Sequence, residues 1–150
     1  MEKTKIIAHH LEFKEFITLL RALDEEVLRK PITEGEWSII EIIGHLIAWD
    51  EFVLRDRIPY FFQDSTFPAG PDVVTFNEQA AASARKKEAV VVLDAFLCGR
   101  TRLIERLTEI PDALWETEIT IHQSQLTLFS YFKGLMTHDL HHIAQIKEVL

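Results

Sequence analysis

The chain has 150 residues, of which 47% are hydrophobic and 27% charged, with a formal net charge of −8. That apolar share excludes a disordered chain and is enough for one domain with a sizeable core. The acidic balance, with no basic cluster anywhere, excludes nucleic acid as the main partner.

Cys98 is the only cysteine, so no intramolecular disulfide can form. It lies in an apolar helical run, which predicts a buried and inert thiol. The opening MEKTKIIAHH lacks the apolar stretch of a signal peptide. No run of about 18 apolar residues suggests a membrane span. We expect a cytoplasmic protein.

Pro31, Pro59, Pro68, Pro71 and Pro111 divide the chain into long segments with helical periodicity. The first helix is predicted over residues 3–29, on a stripe of Ile6, Phe13, Phe16, Ile17, Leu20, Leu23, Val27 and Leu28. His9 and His10 are adjacent, point in different directions, and read as surface or edge histidines.

The second helix is predicted from residue 39 to 58. Ser38 and Glu41 form a capping box, and Trp37 and Ile42 are placed as a hydrophobic staple. Its apolar residues spread round the helix, which implies more than one neighbour. His45 shares an arc with Ile42, Trp49 and Phe52.

Residues 59–76 are a long, aromatic connection, read as packing across one end of the helices or as a lid or substrate wall. The third helix is predicted over residues 77–108, on a stripe of Val90, Val91, Leu93, Ala95, Phe96, Leu97, Leu103, Ile104 and Leu107. Gly99 is a candidate soft point, and Arg85 to Glu88 read as a solvated face. In the second connection, Asp112 to Trp115 suggest a short helical turn. Glu118 to Ile121 alternate like an extended segment held as an edge loop, and His122 is expected to be exposed.

The last helix starts near Thr127 and runs to the C-terminus. His138 and His142 are one turn apart, on a face shared with Leu128, Tyr131, Leu135, Ile146 and Val149, while His141 points elsewhere. Two neutral imidazoles at this spacing can chelate a divalent cation. Two hydrogen-bonded core histidines would satisfy the same pattern. Four helices with two substantial connections read as an all-α fold, a four-helix bundle. Bundles build sites from side chains that face each other across the core. His45 could complete a three-histidine site.

The chain resembles the DinB-like (DinB/YfiT-like) four-helix bundle family over nearly its whole length. The resemblance rests on Trp37-Ser38-Ile39-Ile40-Glu41-Ile42-Ile43-Gly44-His45-Leu46 and on His138-Asp139-Leu140-His141-His142-Ile143-Ala144-Gln145-Ile146. It implies a long crossover between helices 2 and 3 and a divalent metal, commonly zinc or nickel, on His45, His138 and His142. It also implies a homodimer, and for some relatives transfer or isomerisation with low-molecular-weight thiols such as bacillithiol or mycothiol. Others resemble metal-dependent hydrolases.

Three histidines would leave a coordination position open, the catalytic rather than the structural arrangement. The expected function is a metal-dependent transferase or hydrolase acting on a small molecule. Asp139, Glu41, Asp50 and Asp56 are the candidate general bases. A non-catalytic metal or small-molecule binding module is the alternative. The stretch His138-Asp139-Leu140-His141-His142 also approaches the metalloprotease pattern HExxH with Asp for Glu, which the all-helical layout disfavours.

Overall fold

The computed structural model describes residues 2–63 and 66–150, so residues 64 and 65 of the predicted first connection lie outside the described part. Six α-helices form among the described residues: α1 Glu2–Leu20, α2 Glu25–Arg29, α3 Ile39–Asp56, α4 Val73–Arg85, α5 Ala89–Glu109 and α6 Leu128–Glu148. Strands β1 Glu118–Ile121 and β2 Ser124–Thr127 stand before α6. The long helices α1, α3, α5 and α6 make the four-helix bundle. α1 packs on α5 and α6, and α3 packs on α4 and α5. The crossover between α3 and α5 carries a 3₁₀ turn at Ile58–Tyr60 and the helix α4.

Two predicted helices are broken, both times ahead of an acidic residue. The first, predicted over 3–29, ends at Leu20. The N–H groups of Arg21, Ala22 and Leu23 turn to the carbonyls three residues back. Asp24 is then extended, with ψ 145°, and opens α2. The third, predicted over 77–108, starts earlier and splits. Asp72 caps α4 by accepting from the Thr75 N–H at 3.1 Å. Lys86 to Glu88 then form the turn into α5, with Glu88 extended at ψ 146°.

Glu88 makes no side-chain cap. Glu25 on α2 does that work instead, accepting from the Ala89 N–H at 3.1 Å. Arg29 donates to the carbonyls of Arg85 and Lys87. The charged set Arg85 to Glu88 is exposed, as read, while the backbone carbonyls of its turn dock α2.

The capping box of α3 forms as expected. Ser38 Oγ accepts from the Glu41 N–H at 3.2 Å, and Glu41 Oε1 accepts from the Ser38 N–H at 3.1 Å. α3 also passes close to α4. A Cβ on Gly44 would lie 2.5 Å from the Ala84 Cβ, an atom fixed to a helix backbone. Gly44→Ala is expected to destabilise the fold by about 1–3 kcal/mol through overpacking, beyond the roughly 1 kcal/mol that alanine gains in a helix. Thermal unfolding tests this, and an unchanged or raised midpoint would refute the tight fit.

Further corrections come from α5 and the second connection. Cys98 is exposed, not buried. The inward face of α5 runs through Val92, Leu93, Phe96, Arg100, Leu103 and Leu107. That roll turns Val90, Val91, Ala95 and Cys98 outward. Glu118–Ile121 is a strand rather than a loop, because 124–127 pairs with it antiparallel, Glu118 facing Thr127 and Ile121 facing Ser124. His122 is exposed in the turn at φ 57°. The predicted turn at Asp112 to Trp115 is a 3₁₀ turn that buries Trp115.

The core has two apolar parts. One holds Phe13, Leu46, Phe96 and Ile146. The other holds Ile6, Phe52, Leu103 and Phe132, with Phe61 and Phe67 from the first connection. Between them along each long helix stands a buried polar residue: His9 and His10 on α1, Asp50 on α3, Arg100 on α5 and Asp139 on α6. A charged layer thus crosses the bundle.

Candidate metal centre

The capped start of α3 sets His45 on its inner side, 2% exposed, facing α6. His138 and His142 come from consecutive turns of α6. One ring nitrogen from each of the three histidines lies within 4.8 Å of the others. The rings of His45 and His142 are 4.7 Å apart between centroids, and those of His45 and His138 are 5.6 Å apart.

The hydrogen bonds decide which nitrogens face inward. His45 donates from Nδ1 to the Ile42 carbonyl, one turn back on its own helix. His142 Nδ1 lies 2.7 Å from Gln145 Oε1 and donates to it. Both rings therefore present an Nε2 lone pair. His138 Nε2 and His142 Nε2 are 3.1 Å apart. Two ligand nitrogens on one tetrahedral zinc, each about 2.05 Å from it, would be about 3.3 Å apart.

Burial lowers the pKa of all three rings. His45 falls to about 4, mainly by desolvation and then by its proximity to His142. His138 and His142 are lowered as well, chiefly by desolvation. Neutral imidazoles with second nitrogens tied to oxygen acceptors are the form that ligates metals. The donor set fits a divalent cation, and the three residues could hold one.

The four candidate bases are engaged elsewhere. Asp50 accepts from Arg100 Nε at 2.8 Å and Nη2 at 3.1 Å. Asp139 Oδ2 accepts from Arg100 Nη1 at 2.7 Å and from His9 Nε2 at 2.9 Å. Glu41 serves the capping box and pairs with Arg85. Asp56 pairs with Arg55 at 3.3 Å.

His9 and His10 are buried, against the expectation of surface histidines. With Asp139 they form a second group close enough for a cation. Arg100 fills that position. Its Nη1 donates to His10 Nδ1 at 3.1 Å as well as to Asp139, leaving no room for a second positive charge. Arg100 was legible: it stands four residues after Phe96 and three before Leu103, on the inward stripe.

The two carboxylates on Arg100 are unequal. Burial pushes Asp139 up, but the attraction of Arg100 and the hydrogen bonds from His9 and Arg100 outweigh it and hold Asp139 at about 2. Burial raises Asp50 to about 6, and Arg100 offsets that only in part. An acid whose folded pKa exceeds its unfolded value, here 3.8, is a cost to the fold wherever it is ionised. The cost is complete above pH 6 and absent below 3.8. Asp50→Asn is therefore expected to compare better with wild type at pH 7.5 than near pH 4, because only the wild type carries an ionisation cost that grows through this range. Urea unfolding of both proteins at the two pH values checks this. A stability difference between the two proteins that is the same at both pH values would overturn it.

Two cavities adjoin the histidines. One of about 280 Å³ lies beside His142 and Gln145, with Trp37 and Glu36 in its wall. The other, about 20 Å³, lies behind His138 against Asp50, Arg100 and Asp139. Among the described residues, nothing from 59–76 lines either one. Phe61 and Phe67 pack with Phe132 in the far part of the core, the packing reading of this connection, and the cavity beside His142 is walled by the shorter segment before α3.

A helical bundle that gathers three neutral imidazoles beside an accessible cavity defines a protein with a candidate metal centre. The chain belongs to the DinB superfamily, whose model matches residues 8–146. The structure is similar to that of YfiT from Bacillus subtilis, described as a probable metal-dependent hydrolase with an unusual four-helix bundle topology. That match has a TM-score of 0.78 and 17% identity, over 98% of this chain and 85% of YfiT. It is also similar to a mycothiol-dependent maleylpyruvate isomerase, with a TM-score of 0.70 and 12% identity over 94% of this chain. The chain spans 59% of that protein's length. No curated protein matches the chain by sequence. No helix among the described residues is long and apolar enough to cross a membrane.

Proposed function

We propose that the protein is a metal-dependent enzyme whose His45, His138 and His142 hold one divalent cation, zinc or nickel, and that it transfers a low-molecular-weight thiol to a small electrophile. The convergence of the three ring nitrogens within 4.8 Å carries this reading. Three neutral protein ligands leave a position free, as catalytic rather than structural sites do. A cation there supplies Lewis acidity, which lowers the pKa of a thiol or a water molecule.

The chain's own residues supply the rest. Ile42 and Gln145 fix the outer nitrogens of His45 and His142. Trp37 tilts over His45 at 4.9 Å between ring centroids and shields its outer side. The cavity beside His142 has room for a small thiol. With water in place of the thiol, the same arrangement serves hydrolysis. The mycothiol dependence of one structural relative supports the thiol reading. Exposed Leu11 and Leu19 on one side of α1 support a homodimer, and a cytoplasmic location belongs to the same reading.

Incubating the metal-loaded protein with mycothiol or bacillithiol and a fluorogenic electrophile is the test. Thiol consumption that stops on chelation and returns with metal is the expected result. Tight, stoichiometric binding without turnover across thiols and electrophiles would make the chain a binding module instead.

A further inference from the structure

Three neutral imidazoles leave the double charge of a bound divalent cation uncompensated. His45 is buried, so water screens that charge poorly on its side. The buried charged layer stands next to the site. His138 shares the wall of the cavity of about 20 Å³ with Asp50, Arg100 and Asp139. The charges of this layer do not cancel. One guanidinium, Arg100, is bound by two carboxylates, Asp50 and Asp139. Asp50 takes its Nε at 2.8 Å and Nη2 at 3.1 Å, so Arg100 is shared rather than given to Asp139 alone. His10 accepts from Arg100 through Nδ1, and burial and then the Arg100 charge lower its pKa to about 3. His9 donates to Asp139 at 2.9 Å. The guanidinium balances one carboxylate, and one negative charge is left between the two. Its field reaches the metal ligands. Burial lowers the pKa of His45, His138 and His142, and the Asp139 charge opposes burial at each of the three.

We infer that Asp139, turned away from the histidines onto Arg100 and His9, is the outer counter-charge of the metal centre, and that Asp50 frees it for this role by neutralising Arg100. The inference rests on the proposed three-histidine centre. Asp139 and Asp50 are then positioning residues, which hold the cation through their charge and not by ligation. The role also gives a use to Asp50, whose ionised form costs the fold: sites often keep groups that stability alone would remove. A layer of the same shape with one carboxylate fewer would be neutral. The centre beside it would hold a divalent cation less well, and the deficit would scale with the charge of the ion.

Two ions separate charge from geometry. Zinc(II) and copper(I) both bind imidazole nitrogen but differ in charge. A Cys98→Ser background removes the exposed thiol that copper(I) would also take. In that background, Asp139→Asn and Asp50→Asn each remove one negative charge and keep the side-chain shape. Thermal unfolding of the metal-free proteins establishes that each variant is folded, and competition with a chelator at pH 7.5 reads both affinities. Each variant is expected to weaken zinc(II) about tenfold or more and copper(I) only about threefold, because the electrostatic share scales with the charge of the ion. Unchanged zinc(II) affinity in folded Asp50→Asn would overturn the inference. So would an equal fold-loss for the two ions, since a displaced ligand weakens both alike. A parent protein that takes up neither ion would remove the three-histidine centre itself, and the inference with it.

Discussion

Arg100→Met is expected to cost about 3–5 kcal/mol of folding stability at pH 7, the largest single effect in this chain. The guanidinium is 1% exposed and stands where all four long helices meet. It binds Asp50 through Nε and Nη2, Asp139 through Nη1 and His10 through Nη1. Methionine fills most of the volume but leaves two carboxylates buried without their cation. Removing one partner of a buried ion pair costs about that much because the remaining charge is uncompensated. Stability of domains is commonly only about 5–15 kcal/mol, so a large fraction is at stake. Arg100→Lys is expected to recover less than half, since a point charge cannot reach two carboxylates in a fork. Chemical denaturation of the metal-free proteins measures both. A loss below about 1 kcal/mol for Arg100→Met would show that the layer is hydrated rather than closed.

His142→Ala is expected to reduce metal content from about one per chain to nearly none, while His141→Ala leaves it unchanged. The two residues are adjacent in sequence but differ in direction. His142 Nε2 faces His138 at 3.1 Å, whereas His141 is exposed and only its ring edge touches His142. Removing one of three ligands leaves two imidazoles. Losing an outer-shell partner alone typically weakens a site about 10–100-fold, and a direct ligand counts for more. Gln145→Leu, which frees the outer nitrogen of His142, is expected to fall within that 10–100-fold range. Mass spectrometry on untagged protein and competition with a chelator read out the series. Stability follows by linkage: a cation at 100 times its dissociation constant stabilises wild type by about 2.7 kcal/mol, and the His142→Ala protein by none. Full metal content in His142→Ala would remove the three-histidine centre.

Two kinds of information in this chain reach different distances. Ser38 and Glu41 are three residues apart on one chain, so the cap of α3 was legible and forms as read. The same holds for the one-turn spacing of His138 and His142 and for the amphipathic stripes that give a bundle. These features depend on local geometry, which the covalent chain carries with it.

The break at residues 21–24 was less legible because apolar periodicity continues through Leu20, Leu23 and Val27, and the one at 86–88 falls in a charged run that a single exposed helical face would also carry. Only Asp24, ahead of two acidic residues, and Glu88, ahead of an alanine and valine run, signalled new starts. The cap on α5 is not local at all: Glu25 supplies it from 64 residues away in sequence.

Tertiary structure alone decided what the buried polar groups do. Asp139 reads as a neighbour of His138 and a candidate base, yet one step along a helix is a rotation of about 100°. That rotation turns it from the histidine cluster into the charged layer, onto Arg100 and His9. His9 and His10 read as surface residues because their partners lie on α5 and α6. Their burial became affordable only when those partners arrived, since a buried polar group is stable only with its hydrogen bonds made. The position of His45 within reach of His138 and His142 was likewise a matter of packing between α3 and α6. By itself, the sequence determined the amphipathic stripes of the bundle, the cap of α3 and the one-turn spacing of His138 and His142. Folding decided which carboxylates face Arg100 and which hairpin walls the cavity, because each depends on groups that are distant in the chain.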